Sequence, residues 1–246
     1  DYDVDGMTST TLLMKNIRAL GGMVSYYIPN RFTEGYGLNG AALRQIAADG
    51  CGLLVTVDCG ISSVDIVAQM DGAMDIIITD HHLPGSILPP AYAVINPHRA
   101  DCPYPDKDLA GVGVAFKLVQ ALWQIEEERL YADDLDIAAL GTVADLVPLI
   151  GENRKLVQMG LAAMSAHPCE GIAALIRVAG IEGKAINTGM VGFQLAPRLN
   201  AAGRIETARR GVELLSAEDV HEADRIATEL NALNTERRDL EQDILT

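Results

Sequence analysis

Ile76-Ile77-Ile78-Thr79-Asp80-His81-His82 runs four β-favouring residues directly into an acid and two histidines. Leu53-Leu54-Val55-Thr56-Val57-Asp58-Cys59-Gly60 has the same layout: an apolar run, a carboxylate, then a glycine that lets the backbone turn. Short β-branched or aliphatic runs that alternate with helix-spaced segments predict a parallel sheet with crossover helices. Strands are expected at 24–28, 53–57, 76–79 and 92–95, and helices at 8–20, 39–48 and 62–69. The polar residues then fall where strands end, and open parallel sheets bind ligands outside the carboxyl ends of their strands.

From Gly111 onward the strand pattern stops and helical spacing takes over, at 112–131, 134–143, 153–165 and 172–178. Between 217 and 244, Val220, Ala223, Ile226, Ala227, Leu230, Leu233, Leu240 and Ile244 share one face, and the opposite face is dense with Glu, Asp and Arg. The expected organisation is an α/β domain over 1–215, mostly helical from about 111. A long amphipathic helix over 216–246 would lead to a further domain. Both ends read as cuts: the chain opens inside a motif at Asp1, without the strand such a motif follows, and stops at Leu245-Thr246 in mid-helix.

With 246 residues, 49% hydrophobic and 22% charged, a sizeable core is expected. No apolar run approaches the roughly 18 residues of a membrane span, so no membrane association and a cytoplasmic location are expected. Cys51, Cys59, Cys102 and Cys169 lie far apart and suggest neither a zinc knuckle nor a disulfide framework. A net charge of −15 argues against holding nucleic acid by bulk attraction. A site that gathers carboxylates around divalent cations accounts for part of that charge.

Four stretches carry chemistry. Asp1-Tyr2-Asp3-Val4-Asp5-Gly6 sets three acids at alternate positions before Thr8-Ser9-Thr10, read as a helix start, so an extended segment would aim the carboxylates at one hard cation. Asp58 and Asp80-His81-His82 stand at strand ends. Asp145 is a charge embedded in the apolar Gly141-Thr142-Val143-Ala144-Asp145-Leu146-Val147-Pro148, costly to bury unless a cation or donors compensate it. Singly, each has a plainer explanation as a helix cap or a satisfied loop residue. Four such groups at loop positions of one α/β sheet are hard to explain as caps. Oxygen ligands suit magnesium and manganese, and one imidazole shifts the preference toward manganese. Two such ions about 3.5 to 4 Å apart activate and orient a shared water and neutralise the leaving oxygen, so no Ser or Cys nucleophile is required.

This set resembles the DHH phosphoesterase superfamily, named for the motif that stands here as Asp80-His81-His82. The resemblance implies two divalent cations, Mn2+ or Mg2+, held by Asp3, Asp5, Asp58 as the bridging ligand, His81 and Asp145, with Asp1 a further candidate. It places His82 near the scissile phosphate, with Asp80 grouped as catalytic. Gln194-Leu195-Ala196-Pro197-Arg198-Leu199-Asn200-Ala201-Ala202-Gly203-Arg204, Asn30-Arg31-Phe32-Thr33-Glu34-Gly35-Tyr36-Gly37 and Asn231-Ala232-Leu233-Asn234-Thr235-Glu236-Arg237 are similar to signatures of the RecJ-type exonucleases. That similarity spans nearly the whole chain. It implies 5′-to-3′ degradation of single-stranded DNA to mononucleotides in repair and recombination, with helicases or single-strand-binding proteins as partners.

Guanidinium forks match phosphate oxygens, which makes Arg31, Arg198 and Arg204 phosphate candidates, with Arg31 and Arg204 preferred for a terminal 5′-phosphate. Asn200, Tyr36 and His98 complete the expected substrate-binding set; His98 reads equally as a turn residue. Gly111-Val112-Gly113 opens a helix whose amides could meet a phosphate, but Gly-x-Gly alone is weak. A phosphodiesterase for short oligonucleotides or cyclic dinucleotides is the rival reading. A non-catalytic replication scaffold is a third, and it predicts gaps among ligand positions that are filled here.

Overall fold

The computed structural model describes residues 2–29, 34–35, 37–124, 134–205 and 208–245, with 202–205 and 244–245 described in backbone alone. Its sheet has three parallel strands, β1 (Leu53–Thr56), β2 (Asp75–Thr79) and β3 (Ala93–Ile95), in the order β1-β2-β3. Leu53 pairs with Asp75 at one end and Thr79 with Ile95 at the other, so both catalytic-looking loops leave the sheet on the same side. Three of the four expected strands are present. Residues 22–29 carry no regular element, although Val24, Tyr26 and Ile28 pack on the main core. A strand exists only through a ladder partner, and among the described residues none lies beside this segment.

Helix α1 (Val4–Ala19) starts four residues earlier than expected. Asp3 takes the extended N-cap conformation and its carboxylate accepts the Gly6 amide at 3.0 Å, which stops the acidic run from extending. Thr8 and Thr11 are therefore interior helical residues whose hydroxyls donate to the Val4 and Met7 carbonyls at 2.7 and 2.9 Å. The helices α2 (Gly40–Ala48), capped by Asn39, and α3 (Val64–Ala68) pack with the sheet around Leu43, Val67, Met70, Ile76 and Ile78.

The larger core belongs to α1 and the helices that follow: α4 (Gly111–Leu122), α5 (Leu135–Ala144), α6 (Gly151–Ala166) and α7 (Glu170–Val178). α1 crosses α4 and α5 closely. A Cβ at Gly141 would meet the Thr8 hydroxyl at 2.2 Å, so only glycine allows that approach. The segment read as a signature at 194–204 is helical: α8 (Thr188–Met190) runs through a π-helical turn (Val191–Leu195) into α9 (Ala196–Ile205), followed by α10 (Arg209–Leu215). α11 (Val220–Leu245) buries Ala223, Ile226, Ala227 and Leu230 in the same core, whereas Leu240 is exposed. Among the described residues no single helix is long and apolar enough to cross a membrane. The α6–α7 pair, which passes together on composition, is bent by 74° and buries Leu156, Met164, Ile172 and Leu175.

Candidate metal centre

Past the end of β1 the chain must turn sharply, and Asp58 does so in the left-handed region with φ 57°, a conformation that Asp tolerates better than most residues. Gly60, at φ 109°, completes the turn, and the Thr56 hydroxyl donates to the Cys59 carbonyl at 2.8 Å. Asp58 is thereby buried at 2% exposure facing the loop after β2. From that loop the His81 imidazole reaches in. Its Nε2 lies 3.1 Å from Asp58 Oδ1, 3.7 Å from Asp5 Oδ2 and 3.7 Å from Asp145 Oδ2. One nitrogen thus stands among three carboxylates supplied by α1, the β1 turn and the end of α5.

Asp5 is held by an element that the sequence left outside the site. Its two oxygens accept the Gly111 and Val112 amides, at 2.6 and 2.7 Å, from the N-terminus of α4, where unpaired N–H groups favour an anion. The Gly-x-Gly discounted as a phosphate loop is instead the seat of a carboxylate. Burial nonetheless pushes Asp5 well above the ordinary carboxylate range, with repulsion from Asp58 and Asp145 adding to it and the Val112 amide opposing. Burial also drives Asp58 well up, and Asp145 up, with Asp3 repelling both.

Behind the cluster, Asp80 is 1% exposed. Its Oδ2 accepts the Ile61 amide at 2.9 Å, and its Oδ1 accepts the amides of His81 and His82 and the His82 Nδ1 at 2.8 Å. Burial works to raise Asp80, but the bonds from the His82 ring, His82 amide and Ile61 amide win and hold it low. The same bond raises His82. Asp80 therefore faces the protein, and the His82 side chain, 45% exposed, faces outward.

The donor set fits a hard divalent cation. Asp58 Oδ1 and His81 Nε2 are both buried and make no hydrogen bond with the described residues. Asp58, His81 and His82 on one side, and Asp5, His81 and Asp145 on the other, each offer ligand atoms within 4.8 Å of one another. Uncompensated, the buried Asp5 and Asp58 and the part-buried Asp145 repel; a cation removes that repulsion. Asp3 caps α1 beside them, near enough to act electrostatically on Asp58 and Asp145.

The remaining expected residues are less uniformly placed. Arg198 is tied to α11, its Nε donating to Asn231 Oδ1 at 2.9 Å and its Nη1 to the Gln194 carbonyl at 2.5 Å. Asn200 is half-buried on α9. His98 donates from Nδ1 to the His81 carbonyl at 2.6 Å, next to Asn96, which sequence reading passed over. Asp1, Arg31 and Tyr36 lie outside the described residues, as does the side chain of Arg204.

A family model for the DHH family, N-terminal domain, matches residues 1–142. The chain belongs to the DHH family. Among DHH proteins it is 47% identical, over 97% of its length, to the single-stranded-DNA-specific exonuclease RecJ of Bacillus subtilis, and it covers 30% of that protein. It is 44% identical over 98% of its length to the Escherichia coli RecJ, of which it covers 44%. The chain thus spans less than half the length of these relatives. A crystal structure of a RecJ exonuclease bound to manganese superposes with a TM-score of 0.87 at 38% identity, over all of this chain and 62% of that one. RecJ of Thermus thermophilus in complex with Mn2+ gives 0.83 at 35% identity, over all of this chain and 35% of that one. This DHH chain thus combines a donor set suited to a hard divalent cation with likeness to exonucleases solved with manganese.

Proposed function

We propose that this chain is the catalytic core of a two-metal phosphodiesterase that degrades single-stranded DNA from its 5′ end to mononucleotides. The observation that carries the reading is the orphaned, buried pair Asp58 Oδ1 and His81 Nε2, 3.1 Å apart and flanked by Asp5 and Asp145. The likeness to RecJ exonucleases supports the substrate class and, through the two manganese-bound structures, the choice of manganese among hard divalent cations.

Asp3, Asp5, Asp58, His81 and Asp145 would hold the cations, with Asp58 shared between them and Asp1 a further ligand. When bound, two divalent cations lower the pKa of water and neutralise charge on the leaving oxygen. The chain's own residues arrange the rest. Asp80 fixes the His82 tautomer by accepting a 2.8 Å hydrogen bond from Nδ1, and the half-exposed imidazole would hold or deliver a proton at the scissile phosphate. The α4 amides keep Asp5 from rotating. Arg31 and Arg204 would grip a terminal 5′-phosphate; Asn200 and Tyr36 would contact the strand, and Arg198 would shape α9 for them.

The cytoplasm is the proposed location and repair helicases or single-strand-binding proteins the proposed partners. Residues 1–215 would form the catalytic unit, with α11 the connector.

The test is an assay of the full-length protein with manganese on 5′-phosphorylated single-stranded, duplex and dinucleotide substrates, beside Asp58→Ala. Processive loss of single strands that disappears in the variant is the expected result. Preference for dinucleotides, or unchanged turnover in Asp58→Ala, overturns the proposal.

A further inference from the structure

All four backbone polar groups of the His81-His82 dipeptide are tied by side chains. Asp80 takes both amides, at 2.7 and 3.0 Å. The carbonyls are held from the other side by the loop after β3: His98 Nδ1 donates to the His81 carbonyl at 2.6 Å, and Asn96 Nδ2 to the His82 carbonyl at 2.9 Å. Asn96 Oδ1 accepts the His98 amide at 2.8 Å, which locks the two clamping side chains to each other. The loop is itself braced, since Lys107 Nζ donates to the Pro97 and Cys102 carbonyls at 2.8 Å each and Arg99 donates to the Val94 carbonyl. Asn96 is 2% exposed, so it has no role as a surface contact.

A carbonyl only accepts, so His98 carries its proton on Nδ1 and its orientation is set by the DHH loop. We propose that Asn96 and His98 are positioning residues: together with Asp80 they clamp the His81-His82 backbone and so set where the His81 imidazole stands among Asp5, Asp58 and Asp145. This moves His98 from the substrate-binding set to the support of the metal centre, and it rests on the reading of that centre given above. Outer groups that orient ligands typically change metal affinity by about 10- to 100-fold when removed.

The chemistry of His98 gives a discriminating pair of variants. In His98→Asn the side-chain amide nitrogen occupies the place of Nδ1 and keeps the donor; in His98→Gln the amide reaches the place of Nε2 and the donor to His81 is lost. With full-length protein, Mn2+ affinity is measured by calorimetry, nuclease turnover on a 5′-phosphorylated single strand, and melting temperature by circular dichroism. His98→Gln should bind Mn2+ about 10-fold or more weakly, and His98→Asn should restore binding to within about threefold, with melting temperatures of the two alike. Asn96→Asp, which keeps the acceptor for His98 and loses the donor to His82, should behave like His98→Gln. Should that variant fail to fold, the His98 pair carries the test. Unchanged Mn2+ affinity in His98→Gln overturns the clamp, as does equal loss in both His98 variants. Tolerance of Gln with failure of Asn overturns it too, by assigning the work to Nε2. An inactive wild type that still binds Mn2+ with this pattern would overturn the nuclease reading while leaving the clamp standing.

Discussion

The Asp5 carboxylate accepts a 2.6 Å hydrogen bond from the amide of Gly111, 106 residues further along the chain. A Cβ placed on Gly111 would stand 2.7 Å from Asp58 Cβ and 2.9 Å from Asp5 Oδ2. One residue without a side chain thus lets the start of α4 press against two carboxylates at once, donating to one and making room for the other. The helix N-terminus supplies fixed positive partial charge where the cluster most needs it.

Gly111→Ala should therefore destabilise the protein by about 1–3 kcal/mol, the range for forced overpacking, and weaken Mn2+ binding at the same time. Gly113→Ala is the control, because the nearest atoms its Cβ would meet are Leu109 side-chain carbons at 3.3 Å, tight but outside the sub-3 Å clashes found at Gly111. Urea titration and calorimetry on both variants check this. Equal effects of the two would show that the close packing at Gly111 is not what matters.

Burial and mutual repulsion raise Asp58 above its ordinary value of 3.8. A carboxyl raised on folding contributes stability below its unfolded pKa and loses it as pH rises through the folded one. In chelator, wild-type protein should lose stability relative to Asp58→Asn as pH rises from about 4 to 8. At pH 8 the metal-free variant should melt at least about 2 °C higher, the size of a 1 kcal/mol change in a chain this long. Added Mn2+ should raise the wild-type melting temperature and leave Asp58→Asn nearly unmoved. A variant that melts lower at pH 8 in chelator contradicts the repulsion.

Asp134 sits in the left-handed region at φ 62° and accepts from Lys15 Nζ at 2.5 Å and Asn16 Nδ2 at 3.0 Å, while Trp123 Nε1 donates to Asn16 Oδ1 at 2.8 Å. Asp134→Ala removes the Lys15 pair and one of the two acceptors of the Asn16 amide, which keeps the Leu12 carbonyl, and should cost about 1 kcal/mol. Trp123 fluorescence should report the change, and Mn2+ affinity should stay as it was. Loss of metal binding here would mean that the far end of α1 is coupled to the centre.

Arg198 and Asn231 join α9 to α11 through a 2.9 Å bond. Arg198→Ala and Asn231→Ala should each lower stability, and the double variant should fall short of their sum by about 0.5 kcal/mol or more. Denaturant melts of the four proteins measure the coupling. Additive effects would free Arg198 for the phosphate role first expected of it.

Periodicity exposed the sheet and the strand-end acids, because a strand's apolar run and its abrupt polar end are written locally. Strand 24–28 failed for the opposite reason, since a strand depends on a neighbour. The helix start at Val4 was misplaced because Asp3 reads as a ligand and an N-cap with the same side chain. Arg198 looked like a phosphate fork, but whether a guanidinium is free or tied to Asn231 depends on a helix 33 residues away.

The sequence alone marked the candidate donors, residue types that suit a hard cation: Asp58 and His81 stand where apolar strand text ends, Asp145 is a charge embedded in apolar text, and Asp5 belongs to an acidic run. Only the tertiary structure decided which groups hold those donors in place. The amides of Gly111 and Val112, the buried Asn96 and the Nδ1 of His98 act through distances across the fold. Backbone donors have no letter in the sequence, and a side chain that grips a carbonyl leaves no local pattern.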